Sequence, residues 1–74
     1  MNDMLLAAAK KQYEAEVCKY KANIRVYMNQ SVGIGEHPNL VESVMEQINL
    51  LAEAEDRLGS VTRLIENHYM DDTL

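Results

Sequence analysis

Tyr13-Glu14-Ala15-Glu16-Val17-Cys18-Lys19-Tyr20-Lys21-Ala22-Asn23-Ile24-Arg25-Val26-Tyr27 is the stretch on which the fold turns. Three of the chain's four tyrosines stand in it at intervals of seven, and Val17 and Ile24 fill the gaps. Large side chains therefore recur at 13, 17, 20, 24 and 27, in alternating steps of four and three. That spacing puts all five on one face of a helix and gives the helix a partner along its length. No Gly or Pro occurs between Met1 and Ser31, good helix formers fill the interior, and Asn2 or Asp3 suits the N-cap. A first helix is predicted over about 3–29.

Beyond it the segment 30–38 reads as a loop. Gly33 can take the left-handed conformation that closes a helix, and Pro38 suits the entry to the next one. Asn39-Leu40-Val41-Glu42 has the form of a capping box, with Asn39 as N-cap and Glu42 reaching back. A second helix is predicted over about 39–70, with an apolar stripe at Val41, Val44, Ile48, Leu51, Leu58 and Ile65. Met45, Ala52, Ala54, Val61 and Leu64 widen it.

Folding the chain back at the loop brings the two stripes into register. Tyr27 with Val41, Ile24 with Val44, Tyr20 with Ile48 and Val17 with Leu51 all have indices summing to 68. The same register places Tyr13 beside Glu55 and Lys10 beside Leu58. Past these layers the first helix shifts to Leu5, Leu6 and Ala9, a spacing slip that lets the helices cross. Gly59-Ser60 at that level marks either a kink or a break followed by a short third helix. The expected architecture is an all-α antiparallel two-helix hairpin in a single unit spanning 1–74.

Composition bounds the rest. Seventy-four residues with 47% hydrophobic and 26% charged side chains make one small domain of globular type. The longest apolar run, Met4–Ala9, is far below the roughly 20 residues that cross a bilayer, and the segment lacks the features of a secretion signal. One cysteine excludes an internal disulfide framework and fits a reducing compartment. Twelve carboxylates against seven Lys and Arg argue against a double-stranded nucleic-acid face.

A two-helix hairpin buries one stripe on each helix, which gives a chain this short little stability of its own. Val26, Met28, Met45, Leu50, Ala52, Val61 and Leu64 lie off the single seam, and such a surplus calls for another partner. Self-association into a helical bundle, as a dimer or higher, is the simplest expectation; binding to another protein is the alternative. The tyrosine column Tyr13, Tyr20, Tyr27 with Met45, Leu50, Val61 and Leu64 is the candidate interaction set.

No constellation for catalysis, cofactor or metal binding emerges. His37 and His68 are thirty-one positions apart, on the order of 45 Å along a helix, and cannot share a metal within one chain. Cys18 reads as a half-buried structural cysteine. Gly33-Ile34-Gly35 has the look of an anion-binding turn, yet it lacks the preceding strand and the longer glycine pattern of a dinucleotide fingerprint. Lys19, Lys21, Arg25 and His37 form the candidate anion contact, for a nucleotide or similar ligand held at an oligomer interface. The tyrosines could stack on such a ligand, although a seam explains the same spacing. Lys10 with Glu14 and Glu53 with Arg57 are i,i+4 pairs of a solvated face.

Tyr27-Met28-Asn29-Gln30-Ser31-Val32-Gly33-Ile34-Gly35-Glu36-His37-Pro38, followed by Val41 and Ala52-Glu53-Ala54-Glu55-Asp56-Arg57-Leu58, resembles a group of uncharacterised short proteins encoded by tailed phages of marine bacteria and cyanobacteria. The likeness covers about residues 24–66, and the Glu36-His37-Pro38 turn is its most specific part. The group often ends in Tyr-Phe where this chain has His68-Tyr69-Met70. The resemblance implies a phage origin and a place in the host cytoplasm or the virion; it assigns no activity. The functional expectation is a non-enzymatic phage accessory protein acting on itself and on a host or phage protein. A nucleotide-sequestering protein and a minor virion component are the alternatives.

Overall fold

The computed structural model describes residues 3–29 and 39–70. They form α1 (Asp3–Asn29) and α2 (Leu40–Met70), packed along their lengths in a rod of 59 × 17 × 13 Å. The all-α antiparallel hairpin is thus the fold, with both helices starting and stopping within a residue of expectation. Gly33, Gly35, the Glu36-His37-Pro38 turn, the His68 side chain and the terminal Asp71-Asp72-Thr73-Leu74 lie outside the described residues.

Asn39 stands at the N-cap position of α2: the Ser43 N–H donates to its carbonyl at 3.0 Å, the first turn of helical bonding. Glu42 stands in that turn, where a carboxylate suits the positive end of the helix dipole.

The first helix packs as its spacing demands. Leu6, Lys10, Tyr13, Val17, Tyr20, Ile24 and Tyr27 are all half-buried, so the steps of three and four run unbroken to Leu6, and of the residues in the expected slip Leu6 and Ala9 are half-buried. Leu5, which the slip would have brought inward, is 70% exposed. The second helix differs from expectation. Its inward stripe is Leu40, Val44, Gln47, Leu51, Ala54, Leu58, Val61 and Ile65, while Val41 and Ile48 stand 68% and 47% exposed and Glu55 is exposed too. In each of the expected layers Tyr27–Val41, Tyr20–Ile48 and Tyr13–Glu55 the tyrosine is half-buried while its α2 member stands on the exposed side of the inward stripe.

The reason is the phase of one continuous helix. Turning Val41 and Ile48 into the seam would carry Glu55 and Thr62 in with them, seven residues apart in turn, and rotate Ala54 and Val61 outward. Keeping Ala54 and Val61 in and the Glu55 carboxylate out outweighs the exposure of Val41 and Ile48 near the loop. The stripes of α1 and α2 then step together, three and four alternately, where paired indices sum to 71, a shift of three residues from the expected register. Asn23 Nδ2 donates to Gln47 Oε1 at 2.9 Å, one residue from that register, and the bond gives the glutamine in the stripe a polar partner.

α2 runs through Gly59 without interruption, so the short third helix is not formed. Gly59 has no positive φ, and the nearest atoms to a Cβ placed on it are those of the Arg63 guanidinium, from 3.3 Å. Arg63 folds back over this spot and its Nη2 donates to Ser60 Oγ at 3.3 Å. The buried core among the described residues is Ala54, fully enclosed, and Val61, 4% exposed.

Candidate functional site

The two long sides of the hairpin are unlike. On one, the Asn23–Gln47 bond ties the helices together. On the other an open groove runs between them, lined by Lys21, Ile24, Arg25 and Met28 of α1 with Leu51 of α2. Ile48 lies three residues before Leu51 on the helix and so borders the groove. Val41, Met45, Ile48 and Ala52 follow one another in steps of four, three and four, which makes them a single stripe next to the inward one. All four are exposed, Val41 at 68% and Met45 at 56%, and Met28 across the groove is 72% exposed. The result is an apolar face at the loop-side half of the rod, with Lys21 and Arg25 along its α1 edge. A second groove runs beside it on α1, lined by Glu14, Cys18, Lys21, Arg25 and Val26 among others.

The candidate interaction residues divide accordingly. Tyr13, Tyr20 and Tyr27 are half-buried on the stripe that faces α2, so they belong to the hairpin itself. Met45 and Leu64 are exposed, and Leu50 is half-buried. Val61 is a correction: it is one of the two buried residues among those described and offers nothing to an external partner, because it continues the inward stripe seven residues after Ala54. Met28, Val41 and Ile48 are on the exposed face instead. The signal for Val41 and Ile48 was present in the stripe of steps from Val41 to Ala52, which the hairpin register had claimed.

Of the candidate anion contacts, Lys21 and Arg25 share the groove, whereas Lys19 lies on the other edge of α1 with its Nζ 5.0 Å from the centre of the Tyr20 ring. A cation over an aromatic face at that distance is held by the ring quadrupole. His37 lies outside the described residues. Cys18 is exposed and free, a correction to the half-buried reading: it follows Val17 by one residue, and that turns it about a hundred degrees off the seam. Arg57 Nη2 stands 3.5 Å from Glu53 Oε1, while Lys10 and Glu14 form no ion pair; Lys10 is drawn onto the seam.

No family model, curated protein or solved structure matches the chain. Among the described residues no three His, Cys, Asp or Glu side chains group to hold a metal ion, and no helix is long and apolar enough to cross a membrane.

The electrostatics of the two helices are opposed. α1 carries five basic and three acidic residues, a formal +2; α2 carries two basic and six acidic, a formal −4. The open face therefore has a basic edge on one helix and acidic residues, Glu42 foremost, beside its apolar stripe on the other.

Proposed function

We propose that this chain is a non-enzymatic protein–protein interaction module whose working surface is the face formed by Met28, Val41, Met45 and Ile48. The observation that carries this reading is the exposure of large apolar side chains on contiguous positions: four of them, between 47% and 72% exposed, gathered on one side of a two-helix rod. Contiguous apolar surface rimmed by charge marks interaction sites in small proteins, whereas single exposed hydrophobes carry no such meaning. Flexible methionines at the face suit adaptable contact. With the resemblance of the loop and second helix to short phage proteins, the reading is a phage accessory protein working in the host cytoplasm.

A photo-crosslinking residue at Ile48, and in a separate variant at Glu53 on the opposite side of α2, tests the reading in cells expressing the chain. Protein adducts, to itself or to another chain, are expected from position 48 and not from 53. Equal adducts from both positions, or none from 48, would contradict it.

A second reading is favoured by Lys21 and Arg25 lining one groove: sequestration of a nucleotide or similar anion at an oligomer interface. A ligand that binds only the folded state raises its melting temperature. A panel of nucleotides and cyclic dinucleotides at millimolar concentration is expected to shift melting if this reading holds, and Lys21→Ala with Arg25→Ala should abolish the shift.

A further inference from the structure

We infer that the occupant of the open face is a second copy of this chain, docked with both loops at the same end so that α1 lies across from the partner's α2. The inference rests on the interaction reading above and adds the partner and its orientation. Three observations lead to it.

The first is area. The chain exposes 5919 Å². A compact folded chain of 8.4 kDa exposes about 4,600 Å² on the usual scaling of area with mass. The excess, about 1,300 Å², reflects the elongated 59 × 17 × 13 Å shape, and the long sides of such a rod have room for the roughly 800 Å² that each partner contributes to a standard stable interface.

The second is charge. A two-fold axis lying in the interface has two simple orientations. Set across the rod, it lays α1 on the partner's α1 and α2 on the partner's α2, so the −4 helices meet each other. Set along the rod, it lays the +2 helix on the partner's −4 helix twice over. Like charges across an interface cost affinity and opposite charges fix orientation.

The third is position. The apolar face sits in the loop-side half, on α1 at Met28 and on α2 from Val41 to Ala52. An axis along the rod superposes this patch on its own copy while the two rods stay side by side over their whole length. An axis across the rod superposes the patches only by sliding the far halves apart. In the same-end arrangement the exposed Arg25 comes to the level of residue 46 of the partner's α2, about one helical turn from the partner's Glu42. Every helix then has antiparallel neighbours, the pattern of a four-helix bundle.

Light scattering across a range of concentrations reads the mass, and circular dichroism of each variant reports that the helices persist. Twice 8.4 kDa is expected for the natural chain and 8.4 kDa for Ile48→Glu with helicity intact. Met45→Glu, the second variant, should behave alike. Arg25→Glu and Glu42→Arg should each weaken the dimer about tenfold, and the two together should restore it to within about threefold. Orientation is read by a nitroxide on Leu5→Cys in a Cys18→Ala background, since Leu5 is exposed near the far end of the rod. Same-end docking puts the two labels within about 30 Å, the span of a four-helix bundle and its probes. Opposite-end docking separates them by about 60 Å, twice the rise of the twenty residues from Leu5 to Arg25. A dimer that survives both Ile48→Glu and Met45→Glu, a charge pair that fails to restore, or the long distance overturns the inference. A monomer at all concentrations also overturns it. If position 48 still crosslinks to a different protein, the interaction reading stands without it; if it crosslinks to nothing, both fall.

Discussion

In the half of the hairpin away from the loop, Ala54 is fully enclosed and Val61 is 4% exposed; in the half beside the loop, Val41 is 68% exposed and Gln47 sits on the inward stripe. The two halves are built from one continuous α2, and a straight helix has one phase. The far half, with Ala54, Leu58, Val61 and Ile65 in strict alternation, sets that phase. The near half carries two competing stripes one residue apart, and the richer of them, Val41, Met45, Ile48 and Ala52, is the one turned outward. Burial in a two-helix rod is thus won by the longest consistent run, and the runner-up stripe becomes surface that a partner can use.

The sharpest way to break this comparison is to place the same charge in each half. Val61→Asp buries an unpaired carboxylate and should cost several kcal/mol, enough to abolish cooperative melting of a domain this small. Ile48→Asp should change folding stability of the monomer by no more than about 0.5 kcal/mol, because the side chain already faces water. Thermal melts followed by circular dichroism at low protein concentration, where association is absent, separate the two. Comparable losses from both would mean that the halves are equally buried.

A smaller effect sharpens the account of the far half. Gly59→Ala should stabilise by about 1 kcal/mol, the helix-propensity difference, since the only near neighbour of the new Cβ is the far end of the flexible Arg63 side chain at 3.3 Å. For a domain of this size that is a rise in Tm of about 4–8 °C. A fall in Tm would mean that α2 needs the glycine to bend. The smallest effect belongs to the solvated side of α2. Arg57→Ala removes the 3.5 Å pair with Glu53 between two largely exposed side chains, and should cost about 0.3–0.5 kcal/mol at low salt and less at high salt.

Much of this was legible in the sequence, and what was not has a physical reason. The seven-residue tyrosine interval placed α1 and its inward face down to the residue, and Asn39 with Pro38 before it placed the start of α2. The register was misread by three because the four loop-side layers fixed it, and there Val41 and Ile48 outrank Leu40 and Gln47 in hydropathy. Extending the match to Ala54 and Val61 would have exposed the conflict, since those positions follow from Gln47 in steps of seven, whereas Ile48 leads to Glu55 and Thr62. Gln47 itself could not be placed by hydropathy, because what makes it acceptable on the stripe is Asn23, twenty-four residues earlier. Gly59 pointed to a break on propensity alone; an unbroken helix instead follows from the apolar positions on both sides of it keeping one phase. Cys18 was given partial burial by its neighbour Val17, and a one-residue step around a helix is enough to undo that.

The register is the claim on which the rest stands, because it decides which α2 stripe is left for a partner. Nuclear Overhauser contacts from the Tyr20 ring protons, collected on the monomeric Met45→Glu variant with methyl-labelled Leu and Ile, read it directly. The account predicts contacts from Tyr20 to the methyls of Leu51 and none to those of Ile48. Contacts to Ile48 in place of Leu51 would restore the register with indices summing to 68, return Val41 and Ile48 to the seam, and remove the face on which the proposed function depends.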